Sequence, residues 1–141
     1  MRDVNSALLQ AYYEVIDDLD IPVYEGEEPD DVKHKIYAVI SDAISIEQST
    51  DNSSDVQTTI QVSVHSWEYK YNNSKNLNLA VDSILQAIKP TSTSVLDLSS
   101  FDLQMMNLMV QTDRTERFGE LGGKIFISRI LIFKQDIFVI S

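Results

Sequence analysis

Val4, Leu8, Ala11, Tyr12, Val15, Ile16 and Leu19 recur at helical spacing, so an amphipathic helix with one buried stripe is expected over residues 3–19. Asp3 or Ser6 caps its start, and Pro22 disfavours helix past Asp20 or Ile21, because the proline ring crowds a preceding helical residue. A short extended stretch, Ile21-Pro22-Val23-Tyr24, follows. From Lys35 to Gln48 the chain becomes dense in β-branched residues, with Tyr37 and Val39 on one face and Ile36, Ala38 and Ile40 on the other, the mark of a strand. Polar residues 49–55 fit a hairpin connection. Val56, Thr58, Ile60, Val62 and Val64 then alternate with Gln57, Thr59, Gln61, Ser63 and His65, a period of two that predicts a half-buried antiparallel strand continuing through Trp67 and Tyr69.

Leu77, Ala80, Val81, Ile84, Leu85 and Ile88 restore the helical period, so a second amphipathic helix is expected over residues 74–89, closed by Pro90. Residues 91–100 read as a linker. Residues 102–113 predict a strand that is apolar on both sides, with Leu103, Met105 and Met109 on one and Met106, Leu108 and Val110 on the other, as burial or an interface requires. A charged, glycine-containing turn is expected at 114–123, and a further strand at 124–134 carries Ile125, Ile127, Leu131 and Phe133 on one face. Several antiparallel strands with only two helices define an α+β class, a mostly antiparallel sheet with both helices packed on one face. The 141 residues suit a single domain, and no internal repeat interrupts it.

Charge sharpens this picture. Residues 1–70 hold 15 acidic and 4 basic side chains, whereas residues 71–141 hold 7 of each, so the whole net charge of −11 resides in the first half. Such a balance opposes wrapping a nucleic-acid backbone or binding an anionic membrane, both of which need clustered Lys and Arg. Nine acids and no base lie between Glu14 and Asp31, ending in Glu25-Gly26-Glu27-Glu28-Pro29-Asp30-Asp31. Gly and Pro mark this end as a loop, which like charges keep solvated. The chain has no cysteine, which removes disulfides, thiol nucleophiles and thiolate zinc sites. Its first residues lack the apolar core of a signal peptide, and a protein that stays where it is made is expected.

Candidate chemistry is sparse. Ser63 and His65 share a strand face with Ser66 alongside, but no third group or motif accompanies them, and an exposed polar face explains them better than a catalytic triad. Gly119-Glu120-Leu121-Gly122-Gly123-Lys124 lacks the Ser or Thr and the following helix of a phosphate loop. The acids of 17–31 lack the spaced Asp, Asn and Gly of a calcium loop, so a solvated acidic face is expected there and no metal or cofactor. Trp67, Tyr69 and Tyr71 lie on one side of an extended segment, where packing under a helix or against a partner is favoured over base stacking because no basic groove surrounds them. Arg114 and Arg117 flank Glu116 on the late turn, placed either to meet acids of a neighbouring subunit or as an ordinary exposed loop. The tail 136–141 carries Ile137, Phe138, Val139 and Ile140, four consecutive large apolar residues that either complete the chain's own sheet or dock on another subunit.

The opening Ala7-Leu8-Leu9-Gln10-Ala11, the segment Ile21-Pro22-Val23-Tyr24, and the strand Ile36-Tyr37-Ala38-Val39-Ile40 together resemble the tail terminator, or tail-completion, proteins of long-tailed bacteriophages. The likeness continues through Thr59-Ile60-Gln61-Val62-Ser63-Val64-His65-Ser66-Trp67 and Leu79-Ala80-Val81-Asp82-Ser83-Ile84-Leu85, covering residues 7–135. The chain departs from the family at His34-Lys35, where a proline is common, and in its long 91–102 segment. The resemblance implies a structural virion protein, not an enzyme, that forms a homo-oligomeric ring, usually a hexamer, at the head-proximal end of the tail tube. Its partners would be copies of itself, the tail tube protein and head connector proteins, with DNA passing through the lumen and no sequence-specific grip on it. It would reside in the virion neck, and in the host cytoplasm during assembly. Another connector-ring component, or an interaction module unrelated to phage, is the alternative. In such a ring, Arg114, Arg117, Ile137, Phe138, Val139 and Ile140 become subunit-interface candidates. Glu25, Glu27, Glu28, Asp30 and Asp31 would face the lumen or a partner ring, with an outer solvated rim as the competing placement.

Overall fold

A computed structural model of the chain describes residues 4–27, 35–48, 55–69 and 74–139. Helix α1 (Val4–Asp17) leads into the short strand β1 (Val23–Glu25), then β2 (Ile36–Gln48) and β3 (Asp55–Tyr69). Helix α2 (Lys75–Ile88), a 3₁₀ turn at Ser99–Phe101, β4 (Leu103–Leu121) and β5 (Lys124–Val139) complete the order. The five strands form one sheet in the order β1-β2-β3-β5-β4. Only β1 and β2 are parallel; the β2–β3, β3–β5 and β4–β5 pairs are antiparallel, so the class is α+β.

The period-two pattern of β3 sorts the sheet into two faces. Val56, Ile60, Val62 and Val64 lie directly opposite Ile137, Phe133, Leu131 and Arg129 of β5, so the even residues of β3 and the odd residues of β5 share one face. Their apolar members join Ala38 and Ile40 of β2 and the stripes Leu8, Tyr12, Ile16 and Leu77, Val81, Ile84 of the two helices in a single buried cluster. The segment after α2 is part of this core as well, since Leu98 is buried and Leu96 and Phe101 pack on the cluster. Buried Glu68, from the end of β3, accepts the backbone N–H of Leu77 at 2.7 Å and the Asn76 side chain at 3.2 Å, holding the first turn of α2 in place of a capping residue of the helix itself.

Strand β4 differs from expectation. The charged stretch at 114–123 is no turn: β4 runs for 19 residues to Leu121, and the reversal is confined to Gly122 and Gly123, whose positive φ values of 59° and 80° suit a two-residue hairpin. As the last strand of the sheet, β4 exposes polar side chains that a period-based reading takes for a loop. Its two-sided apolar pattern is also resolved. The register shifts between Met106 and Met109, with Asn107 at φ 55°, so Met105 and Leu108 are both buried while Met109 is exposed. Three such irregularities along β4, with five charged side chains from Asp113 to Glu120, blunt an edge that would otherwise invite another strand.

Candidate functional site

The second face of the sheet carries a continuous row of aromatic rings. Tyr24 of β1 meets Tyr37 of β2 edge-on, with ring centroids 6.0 Å apart. Tyr37 lies 5.1 Å from His65 of β3, and His65 stacks on Phe126 of β5 at 5.6 Å with the planes only 13° apart. Phe126 in turn contacts Trp67 at 5.1 Å and Phe118 of β4 at 5.9 Å. One row therefore crosses all five strands. Register explains it: Tyr24 pairs with Val39, Tyr37 with His65, and Trp67 with Phe126, each placing its side chain on the face opposite the core. Exposure rises toward the β4 end, from buried Tyr37 through half-buried His65, Trp67 and Phe126 to Phe118, which is 58% exposed.

Polar contacts fix this row. The His65 Nδ1 and the Ser128 Oγ form a short hydrogen bond of 2.5 Å across the β3–β5 pair. Ser128 is fully buried, so its hydroxyl holds the imidazole against Phe126. Ser63, the expected neighbour of His65, instead accepts from the Gln61 amide at 3.1 Å, and Ser66 lies on the core face. Lys35 and Lys124 sit over the Tyr69 ring at 5.5 and 4.9 Å from its centroid, adding cationic groups beside the aromatic end of the face.

Acidic charge gathers at one edge of the sheet. Glu14, Asp17, Asp18, Asp20, Glu25 and Glu27 are all exposed around α1 and β1, and residues 4–27 contain no Lys or Arg. Charge is mixed on the other side, where edge strand β4 and its neighbour β5 carry Arg114, Arg117, Lys124, Arg129 and Lys134 among four acids. Arg129 donates to both carboxylate oxygens of Asp113, each at 2.7 Å, and to Asn78 of α2 at 3.2 Å, tying the edge strand to the helix layer. The Arg129 hydrogen bond holds the Asp113 carboxyl below the usual carboxylate range.

The sequence candidates fall in different places. Arg114 and Arg117 lie within β4, exposed, with Arg114 donating to Glu116 at 3.0 Å. Glu25 belongs to strand β1 opposite Ile40, not to a loop, while Glu27 follows it exposed; Glu28, Asp30 and Asp31 lie outside the described residues. Ile137 is fully buried in the chain's own core and Val139 packs on it, so these two are structural members of β5 and not a docking tail. Phe138 is half-buried on the second face, opposite Gln104; Ile140 and Tyr71 lie outside the described residues. Among the described residues, no three His, Asp or Glu side chains gather to hold a metal, and no helix is long and apolar enough to cross a membrane.

The aromatic row escaped the sequence reading because its members come from five strands. Only His65 and Trp67 lie close enough in the chain to be grouped, and Phe118 falls in the segment expected to turn. A shallow apolar groove of about 340 Å³ lies elsewhere, between Leu19–Pro22, Ile36 and Leu79, Ala80 and Ser83 of α2. No known family model matches the chain, and no curated protein matches it in sequence.

Proposed function

We propose that this chain is a structural virion protein of a long-tailed bacteriophage, capping the head-proximal end of the tail tube as a homo-oligomeric ring and joining the tail to head connector proteins. The observation that carries this reading is the aromatic row. A rigid sheet whose second face bears half-exposed rings ending on Phe118 is suited to bind a protein surface. The element order and the segments that resemble tail terminators supply the identity of that partner, and the acidic α1–β1 edge set against a β4 edge of mixed charge supplies the unlike edges that a ring needs. On this reading the subunit is six-fold in its ring, meets tail tube protein on one side and connector on the other, and lets DNA pass without gripping it.

The test is a capping assay with growing tail tubes followed by electron microscopy. Added protein is expected to stop elongation and to appear as a ring at one end of each tube. Tubes that elongate as they do without it, with no density added at either end, refute the reading.

A further inference from the structure

We infer that the groove between the end of α1 and α2 is a docking site for a basic amphipathic helix of another protein. It lies on the helix-covered side of the sheet, away from the aromatic row, so the inference stands apart from the tail reading. Apolar side chains line it. Leu19, Ile21, Ile36 and Ala80 are half-buried and pack on the core cluster, whereas Leu79 is 57% exposed and, unlike Leu77, Val81 and Ile84, takes no part in the buried stripe of α2. The chain's own hydrogen bonds hold the groove in shape. The Leu19 and Asp20 N–H groups donate to the carbonyls of Ile16 and Asp17, each at 3.0 Å, and the Pro22 carbonyl accepts from Ala38 of β2 at 2.8 Å. A preformed groove spares a partner the cost of ordering it. Its volume of about 340 Å³ stands at the small end of the ~300–1,000 Å³ of small-molecule sites, and being shallow it suits a few inserted side chains better than an enclosed ligand.

Charge and spacing define the occupant. Asp20 is part of the lining, Asp17 and Asp18 close the helix just before it, and Asp82 precedes Ser83 on α2; all four are exposed. The bases nearest in sequence are engaged or outnumbered. Lys35, next to Ile36, holds its Nζ 5.5 Å from the Tyr69 ring centroid on the other face, and Lys89 donates to the Leu108 carbonyl. Lys75, exposed in the first turn of α2, sets one positive charge against the four acids. An apolar anchor carried on a Lys- or Arg-rich segment complements such a lining. The spacing along α2 favours a helical segment. Ala80, Ser83 and Ala87 recur at i, i+3 and i+7 and extend the α2 wall as a line of small side chains beside Leu79. The Ser83 hydroxyl already donates to the Leu79 carbonyl at 3.1 Å, so covering it strands no donor. Small side chains let a second helix approach closely, and Leu79 offers a ridge to its groove. An extended partner has less to hold, since β1 is three residues long and the preceding Pro22 has no N–H.

The probe is a synthetic peptide of about 15 residues, with leucines at i, i+3, i+4 and i+7 and lysines elsewhere, titrated into the full chain by calorimetry and followed by amide chemical shifts. Saturable binding of one peptide per chain is expected, weaker at high salt, with the largest shifts at residues 19–22 and 79–83. A peptide of the same composition with its leucines scattered around the helix should bind about tenfold more weakly. Two variants locate the contact while keeping the local backbone. Leu79→Gln puts a good helix former at an exposed site, and Asp20→Asn keeps a side chain that tolerates the positive φ of 59° there. Leu79→Gln should weaken binding about tenfold, and Asp20→Asn should weaken it less and flatten its salt dependence. Circular dichroism checks that both variants fold as the wild type does. Wild-type protein that takes up no peptide, equal binding of the two peptides, variants that bind as the wild type does, or shifts centred on Trp67 and Phe126 would each overturn the inference. So would a wild-type dimer that Leu79→Gln dissolves in sedimentation velocity, because the groove would then belong to a second copy.

Discussion

The Tyr12 hydroxyl donates to Gln135 Oε1 at 2.8 Å, joining the first helix to the last strand across 123 residues of sequence. The Gln135 amide nitrogen then donates to the Thr58 hydroxyl at 2.7 Å and to the Thr58 carbonyl at 3.2 Å, so three polar side chains are satisfied within an apolar core. Tyr12→Phe leaves the Gln135 oxygen without its donor and should lower unfolding free energy by about 1–2 kcal/mol. Gln135→Leu removes the acceptor of the Tyr12 hydroxyl and leaves the Thr58 hydroxyl only its 3.4 Å bond to the carbonyl of residue 135, and should cost about 2–4 kcal/mol. Urea denaturation of the three proteins checks the order; a Gln135→Leu protein no weaker than Tyr12→Phe contradicts it.

Burial pushes the Tyr12 phenol up, above the ~10 of an unfolded chain. The native state therefore keeps the phenol neutral while the unfolded chain ionises. The stability tied to Tyr12 is complete below about pH 10 and is lost as the pH climbs beyond it. Stability against pH from 8 to about 11 should fall more steeply in the wild type than in Tyr12→Phe; parallel curves would show that other groups govern the alkaline limit.

Glu68 is a buried acid whose carboxylate serves the start of α2, where unsatisfied N–H groups and the helix dipole favour negative charge. Glu68→Ala should destabilise the protein by about 2–3 kcal/mol, and Glu68→Gln by roughly half that, since an amide oxygen still accepts from Leu77 but carries no charge. Hydrogen exchange at the first turn of α2 should rise in both variants. Unchanged protection there would mean that the helix start does not depend on this carboxylate.

Such contacts show what was legible in the chain and what was not. Both helices and β3 were readable because each buries one stripe, and the period of that stripe survives in the order of residues such as Leu77, Val81 and Ile84. β4 past Asp113 was not, because an edge strand exposes Arg114, Glu116 and Arg117 to water much as a loop does. The parallel β1–β2 pair leaves no local trace, since only the crossover through residues outside the two strands determines it. The aromatic row depends on the register of four strand pairs, a property of the assembled sheet alone.

The Asp113–Arg129 pair should give a modest acid dependence. Its folded carboxyl ionises below the ~3.9 of an unfolded aspartate, so its contribution is present above that value and is lost as the pH falls through the folded one. Both side chains are partly exposed, at 33% and 23%, so the pair is worth about 0.5–1 kcal/mol at most. Asp113→Asn should lower stability by that amount at neutral pH and converge with the wild type at acid pH, once the folded carboxyl is protonated. A constant difference from neutral to acid pH would assign the effect to lost hydrogen bonding.

Removal of residues 136–141 distinguishes a core strand from a docking tail. Ile137 is fully buried, lies opposite Val56 on one side and Met105 on the other, and belongs to the same core cluster as Leu103 and Leu98. Burying an isoleucine contributes about 1.5–3 kcal/mol, and emptying its site adds a cavity term, so Ile137→Ala alone should cost about 2–5 kcal/mol. Phe138, half-buried on the second face, has less to lose, and Phe138→Ser should cost about 1 kcal/mol. Ending the chain after Gln135 also strips β3 and β4 of their final ladder partners. Against the 5–15 kcal/mol typical of a domain, that truncation should leave a protein whose urea midpoint falls sharply or whose cooperative transition disappears. A truncated chain that unfolds at the wild-type midpoint would place the tail outside the core and return it to the role of an interface.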